Sequence, residues 1–296
     1  MIVNSPPKAQ NLGAETYDEP PHALWMFFAL AFAFSWLFYL PIVLSDDGLG
    51  LLPIGPDSWV LDVCVIAGSF GPLAAALVTL RVTSGRGAGW NMLRGLRFWR
   101  VPLRWYLVVI GGVIAVPVAA AFAVPGTADH FTFSADLVPS LIIMFLTVQL
   151  VIGALGEEPG WRGYALPRLQ HRYGAFPAAV ILGLMWGGWH LPLFVSSAWA
   201  GPKGGGDLGT IAQFLLLTTV LTIFMTWVFN STGGSLLIMV LLHDAFNTGM
   251  NAVSELFNGS AMAREQSLLP SMIGFGILAV LITLATRARL SRQRPA

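Results

Sequence analysis

Residues 23–44 read ALWMFFALAFAFSWLFYLPIVL, 22 residues without a formal charge. A helix rises 1.5 Å per residue, so about 20 apolar residues match the ~30 Å hydrocarbon core of a bilayer. A barrel would need ten-residue strands of alternating polarity, which this run does not show. Seven further apolar stretches lie at 58–80, 105–124, 138–158, 177–198, 210–229, 235–253 and 270–286. The whole chain agrees with them: of 296 residues 55% are hydrophobic and 10% charged, and the mean hydropathy is +0.70. A soluble domain carries about 25% charged residues and needs them to cover its surface. The expected fold is therefore all-α, a polytopic membrane protein of about eight transmembrane helices.

The connecting segments fix an expected topology. Segment 45–57 holds Asp46, Asp47 and Asp57 and no base, whereas 81–104 holds six Arg and no acid. Segment 125–137 carries Asp129 and Asp136, 159–176 carries Arg162, Arg168 and Arg172, and the tail from Arg287 holds four Arg. Placing the basic loops in the cytoplasm puts both termini there and requires an even number of spans. Residues 1–21 are polar and read as a disordered cytoplasmic segment rather than a signal peptide. Residues 22–286 read as the membrane-embedded helical domain and 287–296 as a basic cytoplasmic tail. Trp90, Leu93, Leu96, Phe98 and Trp99 interleave with the Arg of 81–104, the pattern of an interfacial segment facing anionic lipid, with no need for nucleic acid. Cys64 is the sole cysteine, so no intramolecular disulfide or CxxC metal site exists. No internal repeat is apparent, which leaves an inverted-repeat transporter unsupported.

Ionisable groups inside a bilayer are costly, so each one kept there is a functional candidate. In GALGEEPGWRGYALPRLQ (153–170), Glu158 and Arg162 are four apart and share a helical face, ready to pair. Glu157 is turned about 100° away, over Trp161, and has no cation on its own helix. An uncommitted carboxylate in that setting suits a general base. Pro159 leaves the Leu155 carbonyl without its donor and bends the helix, which is expected to run on to about Tyr164. In LGLMWGGWHLPLF (182–194), Trp186 and His190 share a face and Pro192 ends the helix. In MVLLHDAFNTGMN (239–251), His243 and Asn247 project together, and Gly249 permits close helix approach. Asp62 and Asp244 receive no role. Two carboxylates, an Arg, two His and an Asn on three apolar helices are accommodated most simply around one internal cavity. Depth strains this picture. Glu157 comes out ~10 Å from a helix end at Tyr164, His243 ~12 Å beyond the turn at 231–234, and His190 ~20 Å beyond Pro177.

The series Glu-Glu-x-x-x-Arg (157–162), Trp-x-x-x-His (186–190) and His-x-x-x-Asn (243–247) resembles the CPBP family, which includes the type II CAAX prenyl endopeptidases and bacterial Abi-type proteins. The resembling core covers roughly 138–253. Trp186 stands where the prenyl endopeptidases have Phe. The resemblance implies an intramembrane endopeptidase with its site open to the cytoplasm, acting on a membrane-associated, in some members prenylated, protein or peptide. It implies Glu157 as general base, His190 holding the attacking water, His243 and Asn247 stabilising the oxyanion, and Glu158 and Arg162 ordering the motif. The cofactor stays open. A glutamate mechanism requires none, whereas Glu157, His190 and His243 offer zinc two nitrogens and one oxygen with a vacant fourth position. The alternative function is a non-catalytic membrane immunity or scaffold protein of the same fold. Arg-rich, Lys-poor, Ala/Gly-rich usage points to a GC-rich bacterial source and a plasma-membrane location, and argues against a prenylated substrate.

Overall fold

The computed structural model describes residues 20, 22–147, 149–197, 206–257 and 264–291, with the backbone alone for 152 and 264–267. The expected N-terminal segment, apart from Pro20, and the end of the basic tail lie outside these residues. The described residues are helical with no strand. Among them six helices are long and apolar enough to cross a membrane, and two shorter apolar helices join them. The chain is a polytopic helical membrane protein.

The first helix, α1 (His22–Leu44), is succeeded by α2 (Trp59–Ser69) and α3 (Gly71–Thr83). These two form one span with an offset at Phe70, the N-cap of α3, which has Pro72 in its first turn. Ser58 caps α2 by accepting the Val60 amide. Asp62 lies exposed in the first turn of α2, away from the bundle interior. A short helix, α4 (Ala88–Leu93), and a 3₁₀ turn at Arg94–Arg97 connect to α5 (Leu103–Ala121), which is π-helical over Leu107–Gly112.

The expected fourth span at 138–158 is divided. Helix α6 (Leu137–Leu146) stops at Thr147, whose backbone leaves helical geometry at φ −126° and ψ −80°. Helix α7 then runs over 150–173 with two π-helical stretches, Leu150–Ala154 and Pro159–Ala165. The second begins at Pro159, where the missing amide favours a wider turn. Helix α7 therefore continues about two turns past Tyr164. Gly174, at φ +80°, turns the chain directly into α8 (Ala175–Trp189). A 3₁₀ turn at Leu191–Val195 carries Pro192, so this helix stops well short of 198. The bundle closes with α9 (Leu208–Ser231), α10 (Leu236–Leu256) and α11 (Arg264–Thr286). Gly233 and Gly234, both at positive φ, form the turn between α9 and α10.

Loop contacts sort the helix ends into two sets. On one side Asn230 donates to Gln170 and to the Leu290 carbonyl, and Ser235 donates to the Phe98 carbonyl. On the other, the Ser197 amide donates to Asp47 and the Thr132 amide to the Leu256 carbonyl. The start of α1 and the end of α11 thus share the side that holds the Arg-rich 81–104 segment.

Helix α7 lies in the middle of the packing. Gly156 faces the Ser69 carbonyl oxygen, 2.6 Å from where a Cβ would sit, and Gly160 abuts Pro72 as closely. Both need glycine, because added side-chain atoms would meet backbone. Trp161 and Tyr164 are fully buried against Phe27 of α1, and Trp161 meets Trp189 edge-on.

Candidate active site

Lengthening α7 removes the depth conflict between Glu157 and His190. Glu157 precedes Gly174 by 17 residues and His190 lies 16 residues beyond it, so both are equally far from the turn that joins their helices. Glu157, His190, His243 and Asn247 line one cavity of about 170 Å³, with Gln149 and Ser69 also on its wall. Tyr39, Trp186, Trp189 and Phe214 form its aromatic side.

Glu157 Oε2 accepts the Trp186 indole N–H at 2.7 Å. Its Oε1 lies 3.7 Å from the position that a Cβ on Gly153 would take, with Asn247 Nδ2 at 3.3 Å and His243 Nε2 at 3.5 Å from the same point. A carboxylate oxygen, an imidazole nitrogen and an amide nitrogen from two helices therefore surround a space that exists because residue 153 has no side chain.

Behind this face sits a buried charge network. Glu158 Oε1 accepts from Arg162 Nη1 and from His243 Nδ1, both at 2.8 Å. Glu158 and Arg162 are fully buried and His243 is 4% exposed. The guanidinium also bonds Thr222 Oγ1 at 3.2 Å and Met225 Sδ at 3.0 Å from α9, and its Cζ lies 4.4 Å over the Trp186 ring. A buried ion pair withstands its desolvation best when further hydrogen bonds complete it; here they do so in part, since Glu158 Oε2 and Arg162 Nε have no hydrogen-bond partner among the described residues. With Nδ1 donating to Glu158, His243 turns Nε2 to the cavity. His190 Nδ1 donates to the Trp186 carbonyl at 2.8 Å, and its ring packs edge-on to Trp189 and Phe214.

Asp244 does not join the cluster. It is fully buried, and neither carboxylate oxygen has a hydrogen-bond partner among the described residues. The zinc set of Glu157, His190 and His243 is not assembled either: among the described residues no three His, Cys, Asp or Glu side chains lie within reach of one ion. Sequence reasoning missed the Trp186 donor, the Thr222 and Met225 partners of Arg162, and the part played by Gly153. The glycines at 153, 156, 160 and 163 were a visible signal, since small residues at such spacing mark close helix approach.

A family model described as type II CAAX prenyl endopeptidase Rce1-like matches residues 139–249, a range that holds all six candidate residues. Over this range the chain is similar to that family. CAAX prenyl protease 2 of Methanococcus maripaludis is 25% identical over 177 residues, which is 60% of this chain and 60% of that protein. The three motifs lie on α7, α8 and α10, while α1, α2 and α9 complete the walls of the cavity from outside the motifs.

Proposed function

We propose that the protein is an intramembrane endopeptidase that cleaves a peptide bond of a membrane-associated protein or peptide. The observation that supports this best is the convergence of Glu157 Oε1, His243 Nε2 and Asn247 Nδ2 on the space over Gly153.

In this reading a water in that space gives a proton to Glu157 Oε1 as its oxygen attacks the scissile carbonyl carbon. The Trp186 N–H holds the other carboxylate oxygen and fixes the direction of Oε1. The ring of His190, aligned by the Trp186 carbonyl, holds the water from the cavity wall. The carbonyl π pair moves onto oxygen, and the oxyanion accepts hydrogen bonds from Asn247 Nδ2 and from His243 Nε2 when that ring carries both protons. Collapse breaks the C–N bond, and Glu157 returns its proton to the leaving amine. Glu158 and Arg162 act by holding His243 and Trp186 in place. Each step uses side chains that face the cavity or support one that does.

The basic loops favour placing both termini, and the helix ends beside them, in the cytoplasm. The test is cleavage of a panel of membrane-anchored peptides, with and without a prenyl group, by the purified protein in liposomes. Glu157→Gln can still accept the indole N–H, and it should lower the rate by about 10²- to 10⁴-fold. Unchanged cleavage by this variant removes Glu157 as the base and overturns the mechanism, whereas no cleavage of any peptide by the wild type overturns the reading and favours a binding role.

A further inference from the structure

Residues 84–102 join two membrane helices and so lie at one membrane surface. Arg81, Arg86, Arg94, Arg97, Arg100 and Arg104 are all exposed there, and none forms an ion pair among the described residues. Trp90 and Trp99 are also exposed, at 59% and 61%. Arg97 lies 5.9 Å over Trp90, and Arg100 lies 5.5 Å over Trp99. Guanidiniums stacked on outward indoles match a surface with an apolar interior and anionic heads, since the ring enters the interface while the cation stays at phosphate level.

The opposite face of this segment rests on the helices of the candidate site. Met92 Cγ lies 3.2 Å from the position of a Cβ on Gly163, within the π turn that begins just after Glu158. Leu236, in the first turn of α10, packs on both Gly95 and Gly163, and Ser235 bonds the Phe98 carbonyl at 2.6 Å. One short segment thus touches the turn that carries Arg162 and the start of the helix that carries His243.

We propose that residues 81–104 form a binding site for anionic phospholipid headgroups, and that lipid held there clamps the π turn of α7 to the start of α10. Lipid binding stands independently of the peptidase reading; only a consequence for cleavage rests on it. Lipid phosphates neutralise the six guanidiniums.

The test is amide hydrogen exchange of the full chain in nanodiscs of phosphatidylglycerol or of phosphatidylcholine. Exchange in 88–98 and 159–165 should slow by about tenfold or more in the anionic discs. The triple variant Arg94→Gln, Arg97→Gln, Arg100→Gln should lose the difference. Inorganic phosphate added to phosphatidylcholine discs should not reproduce it. Equal exchange in the two discs, protection surviving the triple variant, or protection by free phosphate each overturns lipid binding. Met92→Ala should keep protection at 88–98 and lose it at 159–165. Protection of both stretches in that variant overturns the clamp. Since cleavage is not measured, these outcomes are distinct from any failure of the peptidase reading.

Discussion

His243 Nδ1 lies 2.8 Å from Glu158 Oε1, a bond across 85 residues of sequence that joins the third motif to the first. The same oxygen accepts from Arg162, so one buried carboxylate sets the position of His243, which lines the cavity, and of Arg162 behind it. Glu158→Gln removes the negative charge and leaves the Arg162 guanidinium buried without compensation. Breaking one member of such a pair costs about 3–5 kcal/mol. Thermal unfolding in detergent should show that loss, and cleavage should fall with it. A variant with wild-type stability would mean that the network contributes little.

Trp186→Phe keeps an aromatic face under Arg162 and beside His243 while deleting the N–H that holds Glu157. A hydrogen bond to a charged group is worth about 1.5–3 kcal/mol, and ~1.4 kcal/mol is tenfold in rate. Cleavage should drop by about tenfold or more with KM nearly unchanged, since the carboxylate loses orientation and the cavity keeps its wall. The prenyl endopeptidases of the resembling family have Phe at this place, so retained partial activity fits this outcome. Full activity would show that Glu157 is aligned by other contacts.

The geometry of the donor set bears on metal dependence. Protein treated with a chelator and shown by elemental analysis to lack stoichiometric metal should keep its cleavage rate, because in the proposed mechanism Glu157 is the base and His243 with Asn247 the oxyanion donors. Activity that vanishes on chelation and returns with zinc would overturn the glutamate mechanism and imply that the three ligands move together.

Outside the membrane, Asp207 caps α9. Its carboxylate accepts from the Thr210 hydroxyl at 3.0 Å and from the amides of Thr210 and Gly209 at 3.2 and 2.6 Å. These bonds, the Thr210 hydroxyl foremost, hold the carboxyl below the usual aspartate range. A depressed folded-state value contributes stability above the unfolded value of about 3.9, and that stability is lost as pH falls through the folded one. The melting temperature should therefore decline below about pH 4 in the wild type. Asp207→Ala should lower it near neutral pH and flatten the decline, whereas an unchanged acid limb would assign it to other carboxylates.

The sequence displayed the membrane class and the three motifs because both depend on local patterns. Charge-free runs reveal spans, and four-residue spacing put Glu158 with Arg162 and His243 with Asn247 on shared faces. The features it concealed depend on backbone detail or on partners far along the chain. LPRLQHRY (166–173) is too polar to read as a continued span, yet it is the end of α7, and that length matches the depths of Glu157 and His190. The π turn at Pro159–Ala165 departs from a regular 3.6-residue period, and the Trp186 bond to Glu157 spans 29 residues, so neither shows in local spacing. Thr147 interrupts an apolar stretch with nothing in its composition to announce it.

Gly153→Ala separates activity from stability most sharply. The added methyl would lie 3.3–3.7 Å from Asn247 Nδ2, His243 Nε2 and Glu157 Oε1, in ordinary contact or slightly tighter, with no backbone atom among its nearest neighbours. The fold can accept it, and Ala favours helix over Gly by about 1 kcal/mol, so the melting temperature should hold or rise slightly. The methyl nevertheless occupies the space in which the attacking water would meet base and oxyanion donors. Cleavage should fall by about 10²-fold or more, since misplacement of a reacting group by about 1 Å costs that much. An active, stabilised Gly153→Ala protein would place the reacting water elsewhere in the cavity and remove the convergence on which the proposed chemistry depends.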